Sequence, residues 1–135
     1  MSGYGLYMCG TDAGEETVME YIRNEHNVKI AEAVCDAIHE NAAYLSEIDG
    51  AIGDGDHGVN MNKGFLMAKQ RLREDMSFSE SMKTISRTLV MDIGGSMGPI
   101  YGTMFSRIAK ASKQEEKLTR EIFLNALQDA LQGLQ

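Results

Sequence analysis

Ser46-Glu47-Ile48-Asp49-Gly50-Ala51-Ile52-Gly53-Asp54-Gly55-Asp56-His57-Gly58 is the stretch on which the reading of this 135-residue chain turns. It holds four glycines and three aspartates, which is loop chemistry, and helical patterns run up to it and away from it. Upstream, Val28, Ala31, Val34, Cys35, Ile38, Ala42 and Leu45 recur at three- and four-residue steps. Downstream the periodicity resumes at about Asn60 and continues to Glu74, with Met61, Phe65, Met67 or Ala68, and Leu72 on the apolar side. The loop therefore joins two amphipathic helices. Towards the N-terminus, Val18 and Ile22 carry the helical pattern back to Glu15, and Asn24 and Asn27 mark a break between a short helix and a longer one. Residues 1–14, with Gly3, Gly5, Gly10 and Gly14 and no periodicity, read as a flexible leader. Residues 15–135 form the helical domain.

Towards the C-terminus, Ser77-Phe78-Ser79-Glu80 has the form of a capping box that opens a helix burying Met82, Ile85, Leu89 and Ile93. Gly94-Gly95-Ser96-Met97-Gly98-Pro99 is a second break, and Pro99 suits the first turn of the helix that follows. That helix, about Pro99 to Ser112, is followed by a charged link from Lys113 to Lys117. Thr119 then caps a last helix whose stripe is Ile122, Phe123, Ala126, Leu127, Ala130, Leu131 and Leu134. The expected architecture is all-α: five or six helices, interrupted by two glycine-rich loops. A single proline, no tryptophan and 7% aromatic residues agree with helices rather than a sandwich of short strands.

Composition narrows the function classes. A formal net charge of −7 opposes nucleic acid and anionic lipid surfaces, and it suits a bound divalent cation. Cys9 and Cys35 lie far apart with no Cys-x-x-Cys pairing, so neither a disulfide scaffold nor a zinc site is indicated. No signal-peptide pattern opens the chain, and no apolar run approaches the roughly 20 residues that span a bilayer. A cytoplasmic location is expected.

Three carboxylates at positions 49, 54 and 56 cannot share one helix face, but glycines between them let the backbone turn so that they converge. Converging carboxylates repel unless a cation holds them, and magnesium takes a few carboxylates while keeping positions for water and phosphate oxygens. An EF-hand counted from Asp54 would need ligands at Gly58 and Phe65, which excludes that pattern. Taken alone, the stretch also admits a solvated turn, with His57, Asn60 and Asn62 as simple polar or capping residues. The Gly94–Pro99 turn, with bare amides at a helix start, can cradle a phosphate; taken alone it also admits an ordinary helix end. It is neither a Walker A loop nor a dinucleotide fingerprint. Together the two loops offer what phosphoryl transfer needs, a metal-binding group and amide donors for phosphate.

At these residues the chain resembles a known family. The run from Ile48-Asp49 through Ile52-Gly53-Asp54-Gly55-Asp56-His57-Gly58-Val59-Asn60-Met61-Asn62-Lys63-Gly64-Phe65 resembles a signature of the nucleotide-binding subunit of dihydroxyacetone kinases. Gly94-Gly95-Ser96-Met97-Gly98-Pro99-Ile100-Tyr101-Gly102-Thr103 resembles its second signature, and the likeness runs from about Glu20 to the end. The resemblance implies a barrel of antiparallel amphipathic helices with the nucleotide, ADP or ATP, at one end. It implies that Asp49, Asp54 and Asp56 hold two Mg2+ ions, that His57 and Asn60 contact the nucleotide, and that Gly95, Ser96 and Met97 line its phosphates. No residue here would act as a substrate base. The ketose would be held on a partner subunit, and the phosphoryl donor would be ATP or a phosphotransferase-system protein.

Two departures from the family pattern follow. Ser96-Met97 stands where the family has alanine then serine, which moves the hydroxyl by one position. The family domain has about eight helices, and this chain reads as five or six. A non-catalytic metal- and phosphate-binding fragment, self-associating as a homodimer through its last helix, is the alternative. A related kinase of fatty acids is disfavoured, because a threonine is expected there in place of His57.

Overall fold

The computed structural model describes residues 4–10 and 16–135, with side chains from Tyr21 onward. Among these residues are five helices and a small antiparallel sheet, so the fold is predominantly helical as expected. The N-terminal segment differs from expectation. Strand β1 (Tyr4–Gly10) pairs antiparallel with β2 (Glu16–Arg23), Tyr4 facing Ile22 and Gly10 facing Glu16. The helix expected from Glu15 is therefore a strand, and part of the expected leader is its partner. The i, i+4 spacing of Val18 and Ile22 suits a helix, but Thr17, Val18, Tyr21 and Ile22 are β-branched or aromatic residues that favour a pleated surface. Leader residues 1–3 and 11–14 lie outside the described residues.

Five helices follow: α1 (Lys29–Gly50), α2 (His57–Arg71), α3 (Phe78–Asp92), α4 (Met97–Ser112) and α5 (Arg120–Gly133). A third strand, β3 (Lys117–Thr119), joins the free side of β2, with Tyr21 facing Thr119 and Arg23 facing Lys117. The expected capping box is formed: Ser77 Oγ accepts from Glu80 N at 3.1 Å, and Ser77 N donates to Glu80 Oε2 at 2.9 Å. Thr119 Oγ1 caps α5 by accepting from Ile122 N at 3.3 Å.

The pairs α1–α2, α3–α4 and α4–α5 are antiparallel, as their cross-contacts show. Asp36 meets Lys69, His39 Nδ1 lies 3.0 Å from Asn62 Oδ1, and Ala42 and Ser46 lie against Gly58, so α1 rises as α2 falls. Leu89 and Ile93 meet Gly98 while Ser86 Oγ donates to the Gly102 carbonyl at 2.7 Å, and Thr103 and Arg107 reach Gly133. Asn24 leads into α1 and its carbonyl accepts from Phe78 N at the start of α3, so both helices leave from one end and α2 and α4 run back towards it. Phe65 and Phe105, both buried, pack edge to face with centroids 5.8 Å apart. Each is eight residues beyond the first residue of its helix. At 1.5 Å per residue both helices begin roughly 12 Å past that contact, at the same end of the bundle. The α1–α2 loop and the α3–α4 turn therefore share one end.

The opposite end carries the sheet and is tied by one side chain. Buried Asn24 donates through Nδ2 to the carbonyls of Ser112 at 2.9 Å and Glu115 at 2.7 Å. Its Oδ1 accepts from Ser79 N at 3.0 Å and Ser79 Oγ at 3.2 Å, and its carbonyl accepts from Phe78 N at 2.7 Å. The approach to α1, the start of α3 and the end of α4 are joined there. The core between the two ends is apolar, with Phe65, Phe78, Ile85 and Leu89 almost wholly buried. Cys35 is buried among these helices, and burial pushes its thiol up to about 11, so it is an inert core residue. No helix among the described residues is long and apolar enough to cross a membrane.

Candidate functional site

Asp49 sits in the last turn of α1, where helix carbonyls already make the local potential negative. The chain then folds back tightly, with Gly53 N donating to the Asp49 carbonyl at 2.6 Å. Gly55 has φ +77°, a conformation glycine takes without strain. Asp56 is the N-cap position of α2 but makes no side-chain cap bond. The result is the convergence the sequence implied: one carboxylate oxygen from each of Asp49, Asp54 and Asp56 lies within 4.8 Å of the others.

The bonds around this cluster fix it without neutralising it. His57 N donates to Asp49 Oδ2 at 3.3 Å, Asp56 N to Asp54 Oδ1 at 3.3 Å, and Asn60 Nδ2 to Asp56 Oδ2 at 3.1 Å. No basic side chain forms an ion pair with any of the three among the described residues. Asp54 and Asp56 split their titrations. The hydrogen bond with Asp56 holds Asp54 below its ordinary value, and the same contact, with the charge of Asp54, pushes Asp56 above it. The donor set is oxygen only, the kind hard cations favour over zinc or copper.

Two features not apparent in the sequence support the loop. A side chain at Gly58 would collide with the Ala42 carbonyl and approach Ser46 Oγ, so α2 can start this close to α1 only with glycine there. The Ser46 hydroxyl is buried beneath the loop with no hydrogen-bond partner. Beside the carboxylates, Leu45, Ile48, Ile52 and His57 line a shallow apolar hollow, and Ile52 is 98% exposed at the loop tip. Asn62, readable as a cap, is instead paired with His39 across α1 and α2.

The second loop is of a different kind. Gly95 has φ +75°, and Ser96 is the N-cap of α4 without using its side chain. Met97 is partly buried against the core. The first amides of α4 have no acceptor within the helix by construction, and Gly98 packs so closely on the Leu89 and Ile93 carbonyls that no side chain would fit. Asp49, Asp54, Asp56, His57 and Asn60 thus form one cluster. Gly95, Ser96 and Met97 form a second, at the same end of the bundle.

Comparison with known proteins gives the family. Residues 51–135, more than half of the chain, match the DAK2 domain. The match begins two residues after Asp49, so that carboxylate joins the site through the fold rather than through the family match. Among curated proteins, the ADP-binding subunit DhaL of the PEP-dependent dihydroxyacetone kinase 1 of Listeria innocua is 36% identical over 100 residues, 73% of this chain and 50% of that protein. The DhaL subunit of the Escherichia coli PEP-dependent kinase is 35% identical over 101 residues, covering 73% of this chain and 48% of its own length. The PTS-dependent kinase subunit of Lactococcus lactis is 44% identical over 77 residues, 56% of this chain and 40% of that protein. The chain spans about half the length of the curated relatives it matches. A matched domain over most of the chain, on a helical bundle of the expected kind, places this protein in the DAK2 domain family.

Proposed function

We propose that this chain is the Mg2+- and nucleotide-binding part of a dihydroxyacetone-type kinase, acting in the cytoplasm. The carrying observation is the convergence of Asp49, Asp54 and Asp56 at the end of the bundle that also presents the Gly95–Met97 turn. Three carboxylates with no basic partner among the described residues fit two magnesium ions, and bound magnesium would neutralise charge on the phosphates of ADP or ATP. Asp49 is oriented by the His57 amide and Asp56 by Asn60, so the carboxylates are held in place before the cation arrives. His57 and Asn60 lie where they can contact the nucleotide, and the open amides around Ser96 and Met97 suit its phosphates. In this reading the residues act by position and charge, with no proton transfer to a substrate. The ketose belongs on a partner subunit, and the donor is ATP or a phosphotransferase-system protein.

The test is isothermal titration of the chain with ADP, with and without magnesium, beside an Asp54→Ala, Asp56→Ala double variant. Magnesium-dependent binding that the variant loses is expected. Binding that is indifferent to magnesium, or that survives in the variant, overturns the assignment.

A second reading, a non-catalytic fragment that self-associates through α5, draws on one observation. Leu127, Leu131 and Leu134 are 42%, 60% and 43% exposed, while Ala126 and Ala130 on the same helix are buried. Concentration-dependent dimerisation in size-exclusion chromatography, lost in Leu127→Gln, Leu131→Gln, is what that reading requires.

A further inference from the structure

Away from the acidic loop, α3 and α4 part to leave a groove of about 360 Å³, lined by Ser79, Glu80, Lys83, Ser106, Ala109, Lys110 and Lys113. Its origin lies in the packing. Near the Gly95 turn the two helices close on each other through Gly98 and Gly102. Towards the sheet end the contact residues are Ser79 and Ala109, both buried and both small, so the groove has depth. Ser106, Ala109, Lys110 and Lys113 fall on one face of α4 at i, i+3, i+4 and i+7, and Ser79, Glu80 and Lys83 on the facing side of α3.

The charge in the groove runs against the rest of the molecule. The chain carries a net charge of −7, yet three lysines and one glutamate line this groove. Among the described residues Lys69 is paired with Asp36, Arg71 with Asp92 at 2.8 Å, Arg73 with Asp75 at 3.2 Å and Arg107 with Asp129 at 3.8 Å. Lys83, Lys110 and Lys113 form no ion pair among the described residues. Glu80 is committed to the α3 cap, where Oε2 accepts from Ser77 N. The α3 amides are already used, Phe78 N and Ser79 N by Asn24 and Glu80 N by Ser77. Recognition in the groove would therefore come from side chains. Three lysines around a concavity of small-ligand size make it a favourable place for an anion.

We propose that this α3–α4 groove is a second anion site, separate from the acidic loop, that takes a small phosphate-bearing molecule through Lys83, Lys110 and Lys113. The Ser106 hydroxyl, exposed on the same face, is a further donor for a phosphate oxygen. A diphosphate or a molecule with two phosphate groups matches three ammoniums better than a single phosphate does.

The probe is inorganic pyrophosphate, titrated calorimetrically into the full chain in EDTA, so that no divalent cation bridges it to the carboxylates. Backbone amide shifts are followed in parallel. One-site binding is expected, stronger than for orthophosphate, with the largest shifts at Ser106, Lys110 and Lys113. A Lys83→Gln, Lys110→Gln, Lys113→Gln variant should bind at least tenfold more weakly with an unchanged thermal midpoint, and Lys110→Arg alone should retain binding. The Asp54→Ala, Asp56→Ala variant should bind as the parent does, which separates this site from the proposed nucleotide site. No binding at millimolar pyrophosphate, equal binding by the lysine variant, or shifts centred on Gly95 and Ser96 would each overturn the proposal.

Discussion

The two ends of the bundle solve opposite problems. At the sheet end hydrogen bonds tie separate segments together: Asn24 engages three segments, Ser77 and Thr119 cap their helices, and Ser79 and Ser112 share a hydrogen bond of 2.8 Å. At the loop end three carboxylates converge without a basic partner among the described residues, Ser46 Oγ is unpaired, and the N-cap residues of α2 and α4 leave their side chains free of capping. The same fold therefore spends satisfied hydrogen bonds on stability at one end and leaves charge and donors available at the other. A site that must accept and release a charged ligand needs the second condition, and a chain this small can sustain it only if the first end holds.

The sharpest break of this contrast is at Asn24. Asn24→Ala removes four side-chain hydrogen bonds from a buried position and strands the Ser79 amide, while the Ser112 carbonyl keeps only the Glu115 amide. A loss on the order of 3 kcal/mol is expected, since a buried group left unpaired costs roughly 1–3 kcal/mol and the other lost hydrogen bonds add to it. Urea unfolding measures it. A change under about 0.5 kcal/mol would mean that the sheet end is not the anchor. Asn24→Asp should also fail, because an acceptor then faces the Ser112 and Glu115 carbonyls.

Glycines sharpen the comparison within the loop end itself. Gly58→Ala pushes a methyl group into the Ala42 carbonyl and should cost roughly 1–3 kcal/mol, with Asp56 and His57 displaced along with it. Gly95→Ala, at φ +75° in open space, should cost about 1 kcal/mol of backbone strain alone. Gly94→Ala, with nothing within 4 Å and no positive φ, should be neutral to within about 0.5 kcal/mol. Thermal melts of the three variants test that order. If Gly58→Ala proved as mild as Gly94→Ala, the close approach of α1 and α2 would not be what shapes the carboxylate cluster.

How much of this was legible in the sequence depends on the range of the interaction. The helices from Lys29 onward follow from a three- and four-residue apolar period, and the caps at Ser77 and Thr119 from local hydrogen bonding, so both could be read directly. The convergence of Asp49, Asp54 and Asp56 was readable for the same reason, as eight residues with interspersed glycines constrain it locally. β2 was not readable as a strand, because Val18 and Ile22 satisfy a helical spacing and its partners lie at Tyr4–Gly10 and Lys117–Thr119. Asn24 looked like a helix break, and its role rests on groups 55 to 91 positions away. The last helix was read as one apolar stripe. The fold divides it into a half seated in the core, Ala126 and Ala130 with Ile122 and Phe123, and a half of exposed leucines.

The smallest effect lies within the carboxylate cluster and needs a site-resolved readout. In the metal-free chain Asp56 should titrate above the ordinary carboxylate value and Asp54 below it, each through the other. The two act on stability with opposite sign. The raised Asp56 favours the fold at low pH, and that contribution is lost as pH rises through its folded value. The lowered Asp54 favours the fold above its ordinary value, and that contribution is lost as pH falls through its folded value. Bulk unfolding therefore sees little net dependence, whereas carboxyl-carbon NMR resolves the pair. Asp54→Asn should return Asp56 towards its ordinary value, because the negative charge and much of the hydrogen-bonded coupling disappear together. If the two aspartates titrate identically, and Asp54→Asn leaves Asp56 unmoved, then they do not share a site in solution. The loop end would then be a solvated turn rather than a cation seat, and the contrast between the two ends would reduce to one of stability alone.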